Sequence, residues 1–211
     1  MVSVNTISYQ GPQFSILSES QMNDLHMAAL EVLRHTGLRF HHKGAVELLK
    51  QAGAFVSDGN LVKFPARMVE DAIATTPSRV VMCDRNGEPA VFLEDRKVNF
   101  GTGSDCINIL DYETGEHRKF VTEDIINSYR LCDALSNIHF VMSNGIPADV
   151  DPDFAYDTQM ALMLEHTTKP IVFVTNDLDS CQRAIDMAAA VAGGHDALRE
   201  QQHILLYSEP S

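Results

Sequence analysis

The sequence has no tryptophan, only four cysteines, and few basic residues: 16 Lys and Arg stand against 29 Asp and Glu, a net charge of −13. Each shortage excludes something. Without an excess of cations the chain has no footing on nucleic acid phosphates or on an anionic membrane surface, so neither is expected as a partner. The acidic balance suits a cationic small molecule, although its commoner use is solubility. Cys83, Cys106, Cys132 and Cys181 lie too far apart for a C-x-x-C metal or redox motif. With 211 residues the chain can bury a core without a disulfide framework, so the thiols read as reduced, in a cytoplasmic protein. No two of the histidines stand at i, i+4, and no metal site is expected. No apolar run reaches the length of a membrane span, and no basic-then-apolar leader opens the chain. There is no G-x-S-x-G elbow.

What is present is a repeat. Four short apolar runs, VNFG (98–101), IHFVM (138–142), IVFV (171–174) and ILLY (204–207), alternate with amphipathic segments over 122–135, 153–166 and 179–198. Runs apolar on both faces suit parallel strands covered by helices, and the alternation reads as consecutive βαβ units of an α/β fold. Met160 and Met163, on the second of these helices, read as core filling.

The preceding residues are mixed. Ser18 and Gln21 make a capping box, after which Met22, Leu25, Ala29, Val32 and Leu33 share one helical face until Gly37. A second helix over 44–51 stops at Gly53. Residues 54–64 form a hairpin turning at Ser57-Asp58-Gly59-Asn60. Pro65 opens a third helix carrying Met68, Val69, Ala72 and Ile73, closed by Pro77. A hairpin joins 79–83 to 90–93 around Asp84-Arg85-Asn86-Gly87. Within the repeating part, 107–110 and 117–120 flank a further hairpin before the helix at Thr122, whose Glu123 and Asp124 suit its dipole. The GTGSD stretch at 101–105 lacks the third glycine and the immediate helix of a dinucleotide loop.

Three stretches match a known pattern: LRFHHKGAVELLKQAG (38–53), PARMVEDAIATTP (65–77) and FGTGSDCINILDYETGEHRKFVTED (100–124). The most specific piece is Leu110-Asp111-x-Glu113-Thr114-Gly115-Glu116-x-Arg118, followed by Thr122-Glu123-Asp124. Together they resemble the trimethylamine methyltransferase family of corrinoid-dependent methyltransferases, over nearly the whole chain from Ser18 and about the first half of a family member. The resemblance implies a (β/α)8 TIM barrel preceded by an α+β N-terminal extension. Residues 1–97 would be the extension and 98–211 the first four strands and intervening helices of the barrel. It also implies methyl transfer from a methylated amine to the Co(I) of a separate corrinoid protein, which supplies the cofactor; none is bound directly. Members acting on trimethylamine carry a pyrrolysine, and relatives without it are similar to glycine betaine methyltransferase. That position falls in the other half, which leaves both substrates open.

A quaternary ammonium loses a neutral amine when a nucleophile takes its methyl group, so the protein mainly has to position a cation. Carboxylates, carbonyl dipoles and aromatic faces do this, at the C-terminal ends of barrel strands. The substrate-binding candidates there are Asp105, Asn144, Asn176 and Glu209, with Gly101 and Gly103 allowing close backbone approach. Each of the four polar residues could equally be a turn or capping residue, Asn176 especially. His139 and His203 sit at or beside strand starts, the wrong end for catalysis. A second reading is a truncated, non-catalytic half-barrel that only self-associates, because its outer strands leave open edges; a homo-oligomer is expected. A third, some other TIM-barrel enzyme, rests on fold alone.

Overall fold

The computed structural model describes residues 15–95 and 97–208. They divide into two compact units, residues 15–77 and 78–208.

In the first unit, α1 (Glu19–His35) begins at the capping box: the Ser18 hydroxyl accepts from the Gln21 N–H, and Gln21 Oε1 accepts from the Ser18 N–H. It ends as Thr36 and Gly37 both donate to the Val32 carbonyl, with Gly37 left-handed at φ 71°. The short strand β1 (Leu38–Arg39) leads to α2 (Lys43–Gln51), whose cap is the imidazole of His42, accepting from the Ala45 N–H at 3.1 Å. Strands β2 (Phe55–Ser57) and β3 (Leu61–Lys63) form the expected hairpin, its turn made by left-handed Asp58 and Gly59. Strand β1 adds antiparallel to the other side of β3, so the sheet runs β1-β3-β2. Helix α3 (Ala66–Thr75) starts after Pro65.

The apolar face of α1 drawn from sequence is largely exposed: Met22, Leu25, Ala29 and Val32 lie outside, and Leu30 is the buried residue, with His26 and Leu33 half-buried. The reason is the register in which the helix docks. His26 Nε2 meets Glu70 of α3 at 2.7 Å, and the Leu33 carbonyl accepts from the Phe64 N–H, which turns the His26–Leu30–Leu33 stripe inward.

The second unit opens with the hairpin β4 (Arg79–Cys83) and β5 (Pro89–Glu94). Its turn end is tied to the segments that precede the last two apolar runs: the Cys83 N–H donates to Gln202 O, and the Arg85 N–H to Thr168 O, each at 2.8 Å. The four apolar runs lie side by side in chain order. Gly101 bridges Phe140 and Val141 bridges Ile171, both parallel. Inserted between the first two runs is the hairpin β6 (Asn108–Leu110) and β7 (His117–Lys119), followed by α4 (Thr122–Ala134). A short 3-10 turn, Pro152–Phe154, leads into α5 (Ala155–His166). Next come β8 (Ile171–Phe173), α6 (Leu178–Ala192), α7 (His195–Glu200) and β9 (Ile204–Leu206), with β8 and β9 paired in parallel.

Two expectations are corrected. The single helix over 179–198 is two, because Gly193 and Gly194 in succession take φ of 94° and 133° and end α6. The first run is not buried on both faces: Val98 and Phe100 are 49% and 55% exposed. It meets the second run through one bridge and through His139, whose Nδ1 accepts from the Phe100 N–H while its own N–H donates to Phe100 O.

The core of this unit lies between the runs and the helices. Ile125 and Tyr129 of α4, Met160 and Met163 of α5, and Ala184 and Ala188 of α6 close over Val141, Ile171 and Phe173. Both methionines fill core, as their spacing indicates, and burial of a side chain of that size stabilises by about 1.5–3 kcal/mol. Among the described residues no helix is long and apolar enough to cross a membrane.

Candidate functional site

The loop after the first run and the C-terminal ends of the third and fourth border an open cleft of about 520 Å³. Asp105 and Asn176 both line it. Asn144 does not: its side-chain amide donates to Ser128 Oγ on α4 at 2.8 Å. Gly101 faces the Phe140 ring, which a Cβ would strike at 2.3 Å, so its missing side chain serves strand packing. Gly103 has open space around it and uses its carbonyl to accept from the Asn144 N–H. Glu209 lies outside the described residues.

Asp105 is held from beneath. The two loops that follow the first two runs are zipped together: Asn144 N–H donates to Gly103 O, Cys106 N–H to Asn144 O, and Ile146 N–H to Cys106 O. Thr102 accepts from the Met142 N–H at 2.7 Å and donates to the Met142 carbonyl. Asp105 and Asn144 take left-handed φ of 55° and 57° in these loops, a conformation that Asp and Asn tolerate better than other side chains. The Ser143 hydroxyl donates to Asp105 Oδ1 at 2.8 Å and accepts from the Asp105 N–H. The Ser143 carbonyl in turn accepts from the hydroxyl of Tyr129, at 3.0 Å in the core. Burial first, and the Asp105 carboxylate second, push the pKa of both Tyr129 and Tyr156 upward. Tyr129 is therefore a hydrogen-bond donor throughout the neutral range.

The opposite wall is the connection from β8 to α6 and the end of β9. Asp177 borders the cleft and caps α6, accepting from the Ser180 N–H at 2.7 Å. The Tyr207 N–H donates to Phe173 O, which brings Tyr207 to the lip, 42% exposed. Val174, Leu206 and Cys181 supply apolar surface. Sequence reasoning named the polar strand ends and missed Tyr207; the available signal was its place as the last residue of its run. The cleft thus joins a fixed carboxylate, an aromatic ring and apolar walls, which suits a small organic cation. Among the described residues no group of three or more His, Cys, Asp or Glu is placed to hold a metal ion.

The motif at 110–118 is a lock on the β6–β7 hairpin. Asp111 Oδ1 accepts from the N–H groups of Glu113 and Thr114, and the Gly115 N–H returns to the Asp111 carbonyl. Arg118 donates through Nε to Asp111 and through both terminal nitrogens to Asp124, at 2.6 and 2.7 Å. The Thr114 N–H first, and Arg118 next, hold the Asp111 carboxyl down to about 2. Because this pKa is depressed in the folded state, its contribution to stability is complete above pH about 4 and is lost as pH falls through about 2. In Arg118→Met the Asp111 midpoint is expected to rise, yet stay below the ordinary value because the backbone donors remain. Carboxyl NMR titration checks this, and an unchanged midpoint would assign the lock to the backbone alone.

A family profile described as trimethylamine methyltransferase matches residues 1–208. The trimethylamine methyltransferase of Desulfitobacterium hafniense is 32% identical over 202 residues, which cover 95% of this chain and 41% of that protein. The glycine betaine methyltransferase of Desulfitobacterium hafniense strain Y51 is 26% identical over 196 residues, 90% of this chain and 40% of that protein. The trimethylamine methyltransferase of Methanosarcina barkeri is 26% identical over 194 residues, covering 88% and 39%. The chain spans about two-fifths of the length of these curated relatives.

Proposed function

The chain belongs to the trimethylamine methyltransferase family, and from that premise we propose that its protein moves a methyl group from a methylated amine to the Co(I) of a corrinoid carried by a separate protein. The four runs, parallel and in chain order, are read as the first half of a (β/α)8 barrel, with its mouth at the Asp105 end. The match to relatives named for trimethylamine and for glycine betaine carries the substrate class, a small amine bearing several methyl groups.

The partner's corrinoid would supply the nucleophile that takes the methyl group, the electron pair of the broken carbon–nitrogen bond staying with the departing amine. The residues of this chain bind and orient. Asp105 offsets the positive charge, Tyr207 supplies an aromatic side chain to the lining, and Val174 and Leu206 shed water from the methyl groups. From a quaternary ammonium the leaving group is a neutral amine, which asks for no proton donor, and the cleft needs none.

Asp105→Asn keeps an acceptor for Ser143 and removes only the charge. Affinity for glycine betaine or trimethylammonium is expected to fall about tenfold, equivalent to ~1.4 kcal/mol. Calorimetric titration reads this directly, and an unchanged Kd would take Asp105 out of the site.

A further inference from the structure

The β6–β7 hairpin is held more firmly than a surface loop requires, and it carries an aromatic residue at its tip. Tyr112 is 92% exposed. Its hydroxyl donates to Glu113 Oε1 at 3.1 Å, and the residue beside it is Asp111, the hub of the Arg118 lock. Leu110 and Ile107 are also exposed, and Glu113 and Glu116 face solvent. A rigidly presented tyrosine costs little entropy to bury, which is the usual make-up of a binding hot spot.

The position of the hairpin says what could reach it. It lies in the connection between the first run and α4, and β6 begins three residues after Asp105. It therefore leaves the parallel runs at the end where the cleft opens. A nucleophile brought to a methyl group in that cleft from outside has to arrive at the same end. We infer that the hairpin is a docking finger for the corrinoid-carrying protein, with Tyr112 inserted into that partner and Glu113 and Glu116 meeting basic residues on it. This rests on the methyl-transfer reading above. A second copy of the chain is the poorer occupant on charge. Residues 78–208 carry 21 Asp and Glu against 10 Lys and Arg, so a copy would bring like charge to an acidic tip.

The test is the affinity of this chain for a cobalamin-loaded corrinoid protein from the same genome, measured by biolayer interferometry. Wild type, Tyr112→Ala and Glu113→Lys are compared. Tyr112 is almost fully exposed, so its truncation leaves the fold intact, and unchanged melting together with unchanged amine titration verifies this. Both variants are expected to bind the corrinoid protein at least about tenfold more weakly. Wild-type affinity is expected to fall as salt rises, and methyl transfer to free cob(I)alamin to stay at the wild-type rate in both. Partner affinity unchanged in both variants overturns the inference. So does a wild-type chain that binds amine but not the corrinoid protein, a result that leaves the methyl-transfer reading standing. A chain that neither binds amine nor methylates free cob(I)alamin removes that reading, and the inference falls with it. Loss of a homodimer in Tyr112→Ala would identify a second copy as the occupant and equally overturn it.

Discussion

Replacing Tyr129 with alanine is expected to destabilise the second unit by about 3–5 kcal/mol, the range for truncating a large buried aromatic side chain. Tyr129 is fully buried and packs in the cluster with Ile125, Met160 and Met163. The ring is only part of the effect. Its hydroxyl is one of two donors to the Ser143 carbonyl, the other being the Gly145 N–H, and the Ser143 hydroxyl donates to Asp105 at the cleft. Truncation therefore opens a cavity and frees the floor of the site together. Tyr129→Phe separates the two: it keeps the ring, leaves the Ser143 carbonyl with the Gly145 N–H alone, at 2.7 Å, and should cost about 0.5–1.5 kcal/mol. Denaturant unfolding measures both variants. A Tyr129→Ala protein within about 1 kcal/mol of wild type would mean that the neighbouring methionines refill the space, and that the core does not depend on this residue.

Gly37→Ala is the second large effect, and it acts on the first unit. A Cβ at this position would lie 2.3 Å from the carbonyl oxygen of Val62 and 3.1 Å from its carbonyl carbon, at a φ of +71°. Val62 cannot retreat: it is fully buried in β3, paired with Leu38 on one side and Val56 on the other. The left-handed conformation costs an L-residue about 1–2 kcal/mol, and forcing an atom into packed backbone adds about 1–3 kcal/mol. A total of about 2–5 kcal/mol is expected. The buried apolar residues of this unit are few, Leu30, Ala54 and Val62, so a loss of that size is expected to melt the three-stranded sheet. Hydrogen exchange at β1 and β3 reports it; protection equal to wild type would show that the chain reversal tolerates a side chain.

Much of the fold is legible in the residues because its signals are local. The Ser18 capping box, the Asp58-Gly59 turn, the helix after Pro65 and the hairpin around 111–116 depend on neighbours within a few positions, and each forms where its residues indicate. The break at Gly193-Gly194 was equally local, but the apolar spacing of the following residues continues the helical pattern and hides it. The face that α1 buries is another matter. Spacing marks Met22, Leu25 and Val32 as an apolar stripe, while the structure buries Leu30 instead, on the face where His26 meets Glu70, 44 residues away.

The site divides in the same way. Asp105 and Asn176 were legible as cleft residues because both follow apolar runs, and strand ends can be read from the runs themselves. Asn144 occupies the same kind of position, yet its side chain turns back to Ser128, a choice made by the neighbouring helix. Tyr207 reads as one more apolar residue until the Phe173 carbonyl fixes where β9 ends.

By itself the sequence determined the helices of the first unit, the hairpins and their turns, the order of the runs and the family, because these rest on contacts short in sequence or on motifs written residue by residue. Of the four runs, 98–101 and 138–142 meet their neighbours through isolated bridges and only the last two form strands. Tertiary structure alone decided which unit holds the β4–β5 hairpin, which face of α1 is buried and which strand-end side chains meet in the cleft. Those outcomes depend on pairs such as Cys83 with Gln202, Arg85 with Thr168, and Asp105 with Ser143. Such partners are chosen by packing and by the need to satisfy buried polar groups, and nothing in the residues between them records the choice.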